Sequence, residues 1–282
     1  YAEARNRPPE PRIGPQEDER GGYRIHPVHF RSGDGLALGG WIAFPLHEEP
    51  RYAVVQGHGY GGRKDPGEFG GAPSIRLLPC ARGFGRSAAA DLPNQSPTHV
   101  VHGLASRETY ILRGCAMDLW ASIGVLEEVL SRDSLKLPIV YSGRSFGGGI
   151  GALATPWDDR LARVYIGQPT FGDYDFRLSV ESRGSNAAVR AWVKEHPEAR
   201  EVLRYFDAAI SAAFLSVPTL VSCSLFDPSV PPPGQFAIYN AIRAPKELVV
   251  ELKGHVDYPE KHQVLAHVNE RVERWFDAVA CR

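Results

Sequence analysis

The stretch Ile139-Val-Tyr-Ser-Gly143-Arg-Ser145-Phe-Gly147-Gly-Gly-Ile-Gly-Ala-Leu153 runs from a short apolar, β-branched segment through Gly-x-Ser-x-Gly into a helix-compatible run of small residues. In a strand–turn–helix setting this pattern makes a nucleophile elbow, a tight and strained turn that pushes the serine Oγ out above the edge of a sheet. Gly143 and Gly147 are small because strand and helix must nearly touch on either side of that turn. The pattern alone equally describes a glycine-rich turn with an incidental serine. Its meaning depends on what the rest of the chain supplies.

A serine hydroxyl is a poor nucleophile unless a base takes its proton and a third group orients that base. On a sheet of this kind the acid and then the histidine follow the serine in the chain. Val217-Pro-Thr-Leu-Val-Ser-Cys-Ser-Leu-Phe-Asp227 reads as an apolar strand ending in an acid, with a proline-rich turn after it. Lys246-Glu-Leu-Val-Val-Glu-Leu-Lys-Gly254-His255 reads as a strand ending in Gly-His. Both candidates fall just past the carboxyl ends of strands, where open α/β sheets place their ligand crevice. Ser145, Asp227 and His255 are therefore the expected nucleophile, acid and base. Asp227 also suits a turn before Pro228, and His255 a loop position. His58, His262 and His267 are rival histidines, while Asp257 and Asp173 are weaker rival acids because neither directly ends a strand.

Gly57, Gly59 and Gly62, after the apolar run Tyr52–Gln56, satisfy Gly-x-Gly-x-x-Gly. A dinucleotide site would need a helix starting there and an acid about 20 residues later. The loop instead runs on through glycine and proline to Pro73, and the next strand, Ser74–Ala81, ends without an acid. NAD is not expected. A His-Gly-rich loop after an early strand suits an oxyanion hole, whose backbone N–H groups converge on a tetrahedral intermediate. The backbone N–H groups of Tyr60 and Phe146 are the nominated donors.

Residues 1–22 are rich in proline, arginine and acids with almost no apolar pattern, which predicts an extended or disordered arm. Residues 23–282 read as one α/β domain. A hairpin, Tyr23–Phe30 and Leu36–Phe44 around Ser32-Gly-Asp-Gly35, opens it. Strands at Tyr52–Gln56, Ser74–Ala81, Ile139–Ser142, Ala162–Gly167, Thr219–Ser224 and Lys246–Leu252 alternate mostly with helical segments. That order predicts a largely parallel sheet covered on both faces. A helix is expected from about Glu108 to Leu130, with Ile111, Cys115, Trp120, Ile123 and Val129 on its core stripe and structural partners for Arg113 and Asp118. The segment 171–214 reads as a helical insertion before the strand that leads to the acid. Most of its aromatics should pack its own core, with Phe171 and Tyr174 walling a small acyl pocket. His99 and His102 read as surface histidines, not half a metal site.

The 282 residues, 43% apolar and 23% charged, suit one well-cored domain. A net charge of −1 without a basic cluster excludes an electrostatic nucleic-acid partner, and no apolar run reaches membrane-spanning length. Cys80, Cys115 and Cys223 fall in elements and Cys281 at the tail, without metal-ligand spacing. Buried thiols favour a reduced, cytoplasmic setting, although a chain starting at Tyr1 leaves secretion with a removed leader open.

The same residues carry a resemblance. The chain is similar to the acetyl xylan esterase/cephalosporin C deacetylase family of α/β-hydrolases (carbohydrate esterase family seven), over about Tyr23 to Phe276. His58-Gly-Tyr-Gly61 resembles its oxyanion loop, Arg82-Gly83 the start of its Arg-Gly-Gln motif, and Tyr110–Asp118 its Tyr-x-x-Arg-Gly-x-x-x-Asp helix. Ser145, Asp227 and His255 fall on the family's nucleophile, acid and base. Tyr205-Phe-Asp207 and Val217-Pro-Thr-Leu-Val match segments near its last strands. Three positions depart from the pattern: Phe84 and Phe146 stand where the family has glutamine, and Val256 where it has glutamate. The resemblance implies hydrolysis of short esters, acetylated sugars among them, with no metal or organic cofactor and with homo-oligomers common. A prolyl-oligopeptidase-like peptidase, an acyltransferase and a non-catalytic binding protein of the same fold are the alternatives, although no separate propeller domain is visible for the first.

Overall fold

Side-chain alternation along the strands sets up the layers of this molecule, for which a computed structural model describes residues 2–5 and 7–280, the side chain of Ala280 excepted. Helix α1 (Ala2–Arg5) and strands β1 (Arg12–Ile13) and β2 (Asp18–Arg20) precede the hairpin of β3 (Tyr23–Arg31) and β4 (Ala37–Pro45). Then come β5 (Tyr52–Gln56), β6 (Ser74–Pro79), the short helix α2 (Ser96–His99) and the long helix α3 (Ile111–Arg132). β7 (Ile139–Arg144) feeds α4 (Phe146–Ala154). β8 (Leu161–Gly167) feeds α5 (Tyr174–Ser179), α6 (Gly184–Glu195), α7 (Ala199–Tyr205) and α8 (Ala208–Ala212). β9 (Thr219–Phe226), α9 (Pro232–Ala241), β10 (Lys246–Lys253) and α10 (Lys261–Ala280) complete the chain.

The strands form one sheet in the order β1-β3-β4-β6-β5-β7-β8-β9-β10, with β2 beside β3. From β6 to β10 every pair is parallel, and β4 meets β6 antiparallel. After β5 the chain moves outward to β6, then crosses back to place β7 on the other side of β5. The β5–β7 border is therefore the topological switch point, and the loops after these two strands face a common crevice. Those loops are the glycine-rich segment from Gly57 and the turn at Ser145.

Ala53 and Val55 of β5 join the larger core with α3 and α4, while Tyr52 and Val54 join the smaller one under α10. Tyr141 and Val140 of β7 divide in the same way, as the period of two in a strand requires. Each such fully buried side chain contributes roughly 1.5–3 kcal/mol. In α10, Val264, Val268, Val272, Trp275, Phe276 and Val279 recur at helical spacing and cover the second face. Among the described residues, no helix is long and apolar enough to cross a membrane.

The arm takes the extended of its two expected forms: β1 pairs with Val28 and His29 of β3, β2 pairs with Tyr23–Ile25, and the Pro9 carbonyl accepts the Arg31 N–H at 2.7 Å. Glu17 accepts from the Trp41 indole and from Arg86 (2.7 Å). Backbone pairing and charge contacts order this segment, so its lack of apolar residues was no guide. In the insertion, Phe171, Tyr174, Trp192 and Phe206 pack on the main core instead of forming a separate one, while Tyr205 and Phe214 are exposed. Phe214 lies against Trp157 (5.2 Å between centroids), and Arg107 covers Tyr205. Cys281 lies outside the described residues, while Cys80, Cys115 and Cys223 are buried free thiols that pack as small hydrophobes.

On the α10 side of the sheet, Arg144 Nη2 donates to both carboxylate oxygens of the buried Glu251 (3.0 and 2.9 Å). Its Nη1 donates to the Tyr165 hydroxyl at 2.6 Å, and that hydroxyl bonds Ser222 Oγ at 2.9 Å. One side-chain network thus crosses from β7 through β8 and β9 to β10. Removing one member of such a pair strands the other charge. Arg144→Met should lower the unfolding free energy by about 3 kcal/mol, read by urea denaturation. An unchanged midpoint would show that Glu251 finds other partners or water.

Candidate active site

Ser145 follows directly from β7 and is held at φ 56° and ψ −115°, a conformation a non-glycine residue adopts only under constraint. Its N–H donates to the Gly167 carbonyl (2.8 Å), and its carbonyl accepts from Gly149 (2.9 Å) and Thr170 (3.3 Å). A Cβ on Gly143 would lie 2.5 Å from the Tyr141 hydroxyl and 2.6 Å from the Gly147 carbonyl group, so the elbow admits no larger residue there.

His255 Nε2 stands 2.8 Å from Ser145 Oγ, and its Nδ1 stands 2.6 Å from Asp227 Oδ2. A carboxylate only accepts, so Nδ1 carries the proton and Nε2 is left to accept from the serine. Asp227 is buried at the start of the turn after β9. Its Oδ1 accepts from the N–H groups of Ser229 and Val230, each at 2.9 Å. The Gln235 amide donates to Oδ2 at 3.2 Å and to the Val230 carbonyl at 2.7 Å. Gly254 is part of this geometry, because a Cβ there would run into the Asp227 carboxylate and the Ser224 hydroxyl.

The loop after β5 comes down on the elbow. A Cβ on Gly59 would lie 3.9 Å from the Cβ of Ser145, and the His58 carbonyl accepts the Gly147 N–H at 3.0 Å. His58 Nε2 accepts the Ala81 N–H at 2.9 Å, so its Nδ1 is the protonated nitrogen and donates to the Gly59 carbonyl at 2.7 Å. The histidine thus ties the loop to β6 and to α4. Phe146 opens α4, and its N–H belongs to the helical turn that lacks intrahelical acceptors.

Behind the loop lies an aromatic cluster. The Phe146 ring stacks on Tyr60 (4.2 Å, 27°), and Phe84 packs on His99 (4.9 Å) and His58 (5.8 Å). Below it, Arg82 Nε and Nη2 grip Asp118 (2.8 and 2.6 Å), and Nη1 reaches Asp34 (2.9 Å). Gly114, one turn before Asp118 on α3, gives the guanidinium its room, since any Cβ there would collide with it. Burial alone would lower the Arg82 guanidinium, but Asp118 outweighs it and the net shift is upward.

Of the residues singled out in the sequence, the structure brings Ser145, Asp227 and His255 into one hydrogen-bonded chain, with the Tyr60 loop and Phe146 beside it. The rivals fall elsewhere. His262 and His267 are exposed on α10, Asp257 pairs with Lys261 at 2.6 Å, and Asp173 caps α5 through the Phe176 N–H. Phe171 and Tyr174 are buried rather than exposed on a pocket wall, with Phe171 edge-on to Phe146 at 6.1 Å. His99 is a buried histidine, not a surface one. Its Nε2 reaches the Arg82 carbonyl at 3.1 Å, because α2 folds under the Arg82 turn. Among the described residues, no group of three His, Cys, Asp or Glu side chains is placed to hold a metal ion. Sequence reading missed Gln235, which no motif marks. The only signal is the proline run that starts α9 and turns its first residues back towards Asp227.

The family model for acetyl xylan esterase (AXE1) matches residues 1–278. Among solved structures, an acetyl xylan esterase from Paenibacillus sp. R4 superposes with a TM-score of 0.76 at 21% identity, covering 96% of this chain and 91% of that one. Acetyl xylan esterase 1 from Thermoanaerobacterium sp. JW/SL YS485 gives 0.77 at 18%, covering 94% and 89%. The acylaminoacyl peptidase of Pyrococcus horikoshii gives 0.58 at 18%, covering 82% of this chain but 37% of that one. At these identities the structural matches speak for the fold alone. No curated protein matches the sequence.

Burial pushes His58 and His99 down from 6.5 to about 4, so both are neutral in the folded protein. Between pH 4 and 6.5 the unfolded chain binds more protons at these two positions than the folded one. Their contribution is therefore complete above pH 6.5 and is lost as the pH falls towards 4. It amounts to roughly 3 kcal/mol per histidine by the free energy of a pKa shift. Urea denaturation across that window should show stability falling with acid, whereas a flat profile would place both rings in wetter surroundings.

Proposed function

This chain belongs to the acetyl xylan esterase family, and we propose that it hydrolyses acetyl esters of sugars with Ser145 as nucleophile, His255 as general base and Asp227 as the group that orients the histidine. Family membership makes it a carboxylic ester hydrolase. The observation that supports these residue roles is the hydrogen-bonded run from Ser145 through His255 to Asp227 at the switch point of the sheet.

In this reading His255 Nε2 takes the hydroxyl proton as Ser145 Oγ attacks the ester carbonyl. The negative oxygen of the tetrahedral intermediate turns towards the N–H groups of Tyr60 and Phe146, each such donor being worth about 3 kcal/mol. Collapse of the intermediate breaks the bond to the alcohol, which leaves with the proton from His255, and the acetyl group stays on Ser145. Water then enters, His255 takes its proton, and a second collapse releases acetate and restores the serine. Asp227 keeps its charge throughout and steadies the imidazolium. No step calls on a metal or an organic cofactor.

The family is that of acetyl xylan esterases, so acetate should be preferred over longer acyl groups.

Hydrolysis of p-nitrophenyl acetate and butyrate tests this reading. Wild type should favour acetate, and Ser145→Ala should lose activity by roughly 10,000-fold or more, as for other members of a serine triad. Activity that survives the substitution would give the nucleophile role to another residue. A folded wild type inactive on both esters would remove the triad assignment.

A further inference from the structure

Arg177, on α5 behind the site, is 1% exposed. Its Cζ lies 5.1 Å from the centre of the Tyr174 ring and 5.9 Å from that of Phe171, two rings whose centres are 6.5 Å apart, so both lie to one side of the cation. Its N–H groups point outward in the guanidinium plane and need acceptors that a ring face does not supply. Nε and Nη1 are buried and meet no acceptor of the chain. Two further hydroxyls, those of Tyr60 and Tyr174, are buried and unpaired in the same way. The Tyr60 ring lies 6.5 Å from that of Phe171, which stacks on Tyr174, so the three aromatic residues neighbour one another beside Arg177, and Tyr110 and Asp207 also act on its charge.

Neither remaining neighbour supplies the missing acceptor. Tyr110 donates its hydroxyl hydrogen to the Val100 carbonyl at 2.9 Å, and its oxygen accepts from neither Arg177 Nε nor Nη1. Asp207 has its oxygens turned to the backbone, accepting from Asp173 (3.0 Å), Tyr174 (2.8 Å) and Ala209 (2.8 Å). It makes no ion pair with Arg177 among the described residues. A cation taken out of water without an acceptor in its plane is one of the most expensive arrangements in a protein. What remains is a cluster of donors, two from the guanidinium and two from hydroxyls, with one positive charge among them.

We propose that Arg177, Tyr60 and Tyr174 form a buried site for one small monovalent anion. Such an ion accepts from every orphaned donor and carries the single charge that matches the guanidinium. A phosphate-like dianion would exceed that charge, and a neutral ligand would leave it unmatched. The site is separate from the crevice at Ser145 but touches it through Tyr60, whose ring stacks on Phe146. The ion then braces the ring of the residue whose backbone N–H is assigned to the oxyanion hole. That last link rests on the proposed function, whereas the site itself does not.

The test reads binding rather than activity, so its failure is distinct from failure of the esterase reading. Thermal unfolding of the full chain is followed in sodium bromide or sodium acetate, against sodium gluconate at equal ionic strength. The midpoint should rise and saturate with bromide, or with acetate if a short carboxylate is the occupant. Tyr174→Phe, which keeps the ring and removes one donor, should move half-saturation to an about tenfold higher concentration. Arg177→Met should abolish the dependence. Crystals soaked in bromide should show an anomalous peak within hydrogen-bond distance of Arg177 Nε, reduced when acetate is added if both compete. A midpoint indifferent to bromide and acetate, the same dependence in Tyr174→Phe as in wild type, or a soaked crystal with water beside Arg177 would each overturn the proposal. The crystal decides the matter even if Arg177→Met does not fold.

Discussion

The turn at Ser145 is the constraint on which the site depends. A non-glycine residue at φ 56° costs of order 1–3 kcal/mol and persists only where its surroundings over-determine it. Here the surroundings do so from two sides. The Ser145 peptide groups bond to Gly167, Gly149 and Thr170, and Gly147 donates to His58 in the loop after β5. The elbow is therefore a junction of β7, the end of β8 and the glycine-rich loop. Strain is concentrated at this end of the sheet. Of the seven described non-glycine residues with positive φ, Ser145, Gln168, Phe171, Asp173 and His255 lie in the loops after β7, β8 and β10.

Phe84 and Phe146 are far apart in the chain, yet both rings contact His58 and His99 and lie 6.5 Å from each other. Aromatic packing therefore joins the turn after β6, the loop after β5, α2 and the start of α4. The nominated donors of Tyr60 and Phe146 are backbone groups, so an apolar cluster of side chains leaves them available.

Much of this was legible in the sequence because the decisive signals are local. Gly143 and Gly147 mark a close approach of backbone, Asp227 and His255 end apolar runs, and strand periodicity gives the two faces of the sheet. What stayed hidden depends on contacts between distant segments. His99 is buried because α2 folds under Arg82, and nothing in its own neighbourhood says so. Gln235 is an ordinary glutamine until α9 sets it against Asp227. For the arm the sequence left an extended and a disordered form open, because its order comes from backbone pairing to β3 and not from apolar content.

The two buried charge networks show what such groups contribute. Ion pairs out of water gain little net stability, since their attraction mainly repays lost hydration. Both of these stand where loops or strands distant in sequence must keep a fixed relation. Arg82 joins the turn after β6 to Asp118 of α3 and to Asp34 of the β3–β4 hairpin. Arg144, the residue immediately before Ser145, reaches across two strands to Glu251, four residues before His255. An apolar pair could fill the same volume but would slide more easily, because dispersion has no preferred direction. Directional hydrogen bonds to a carboxylate fix the spacing of β7 and β10, and with it the 2.8 Å between Ser145 and His255.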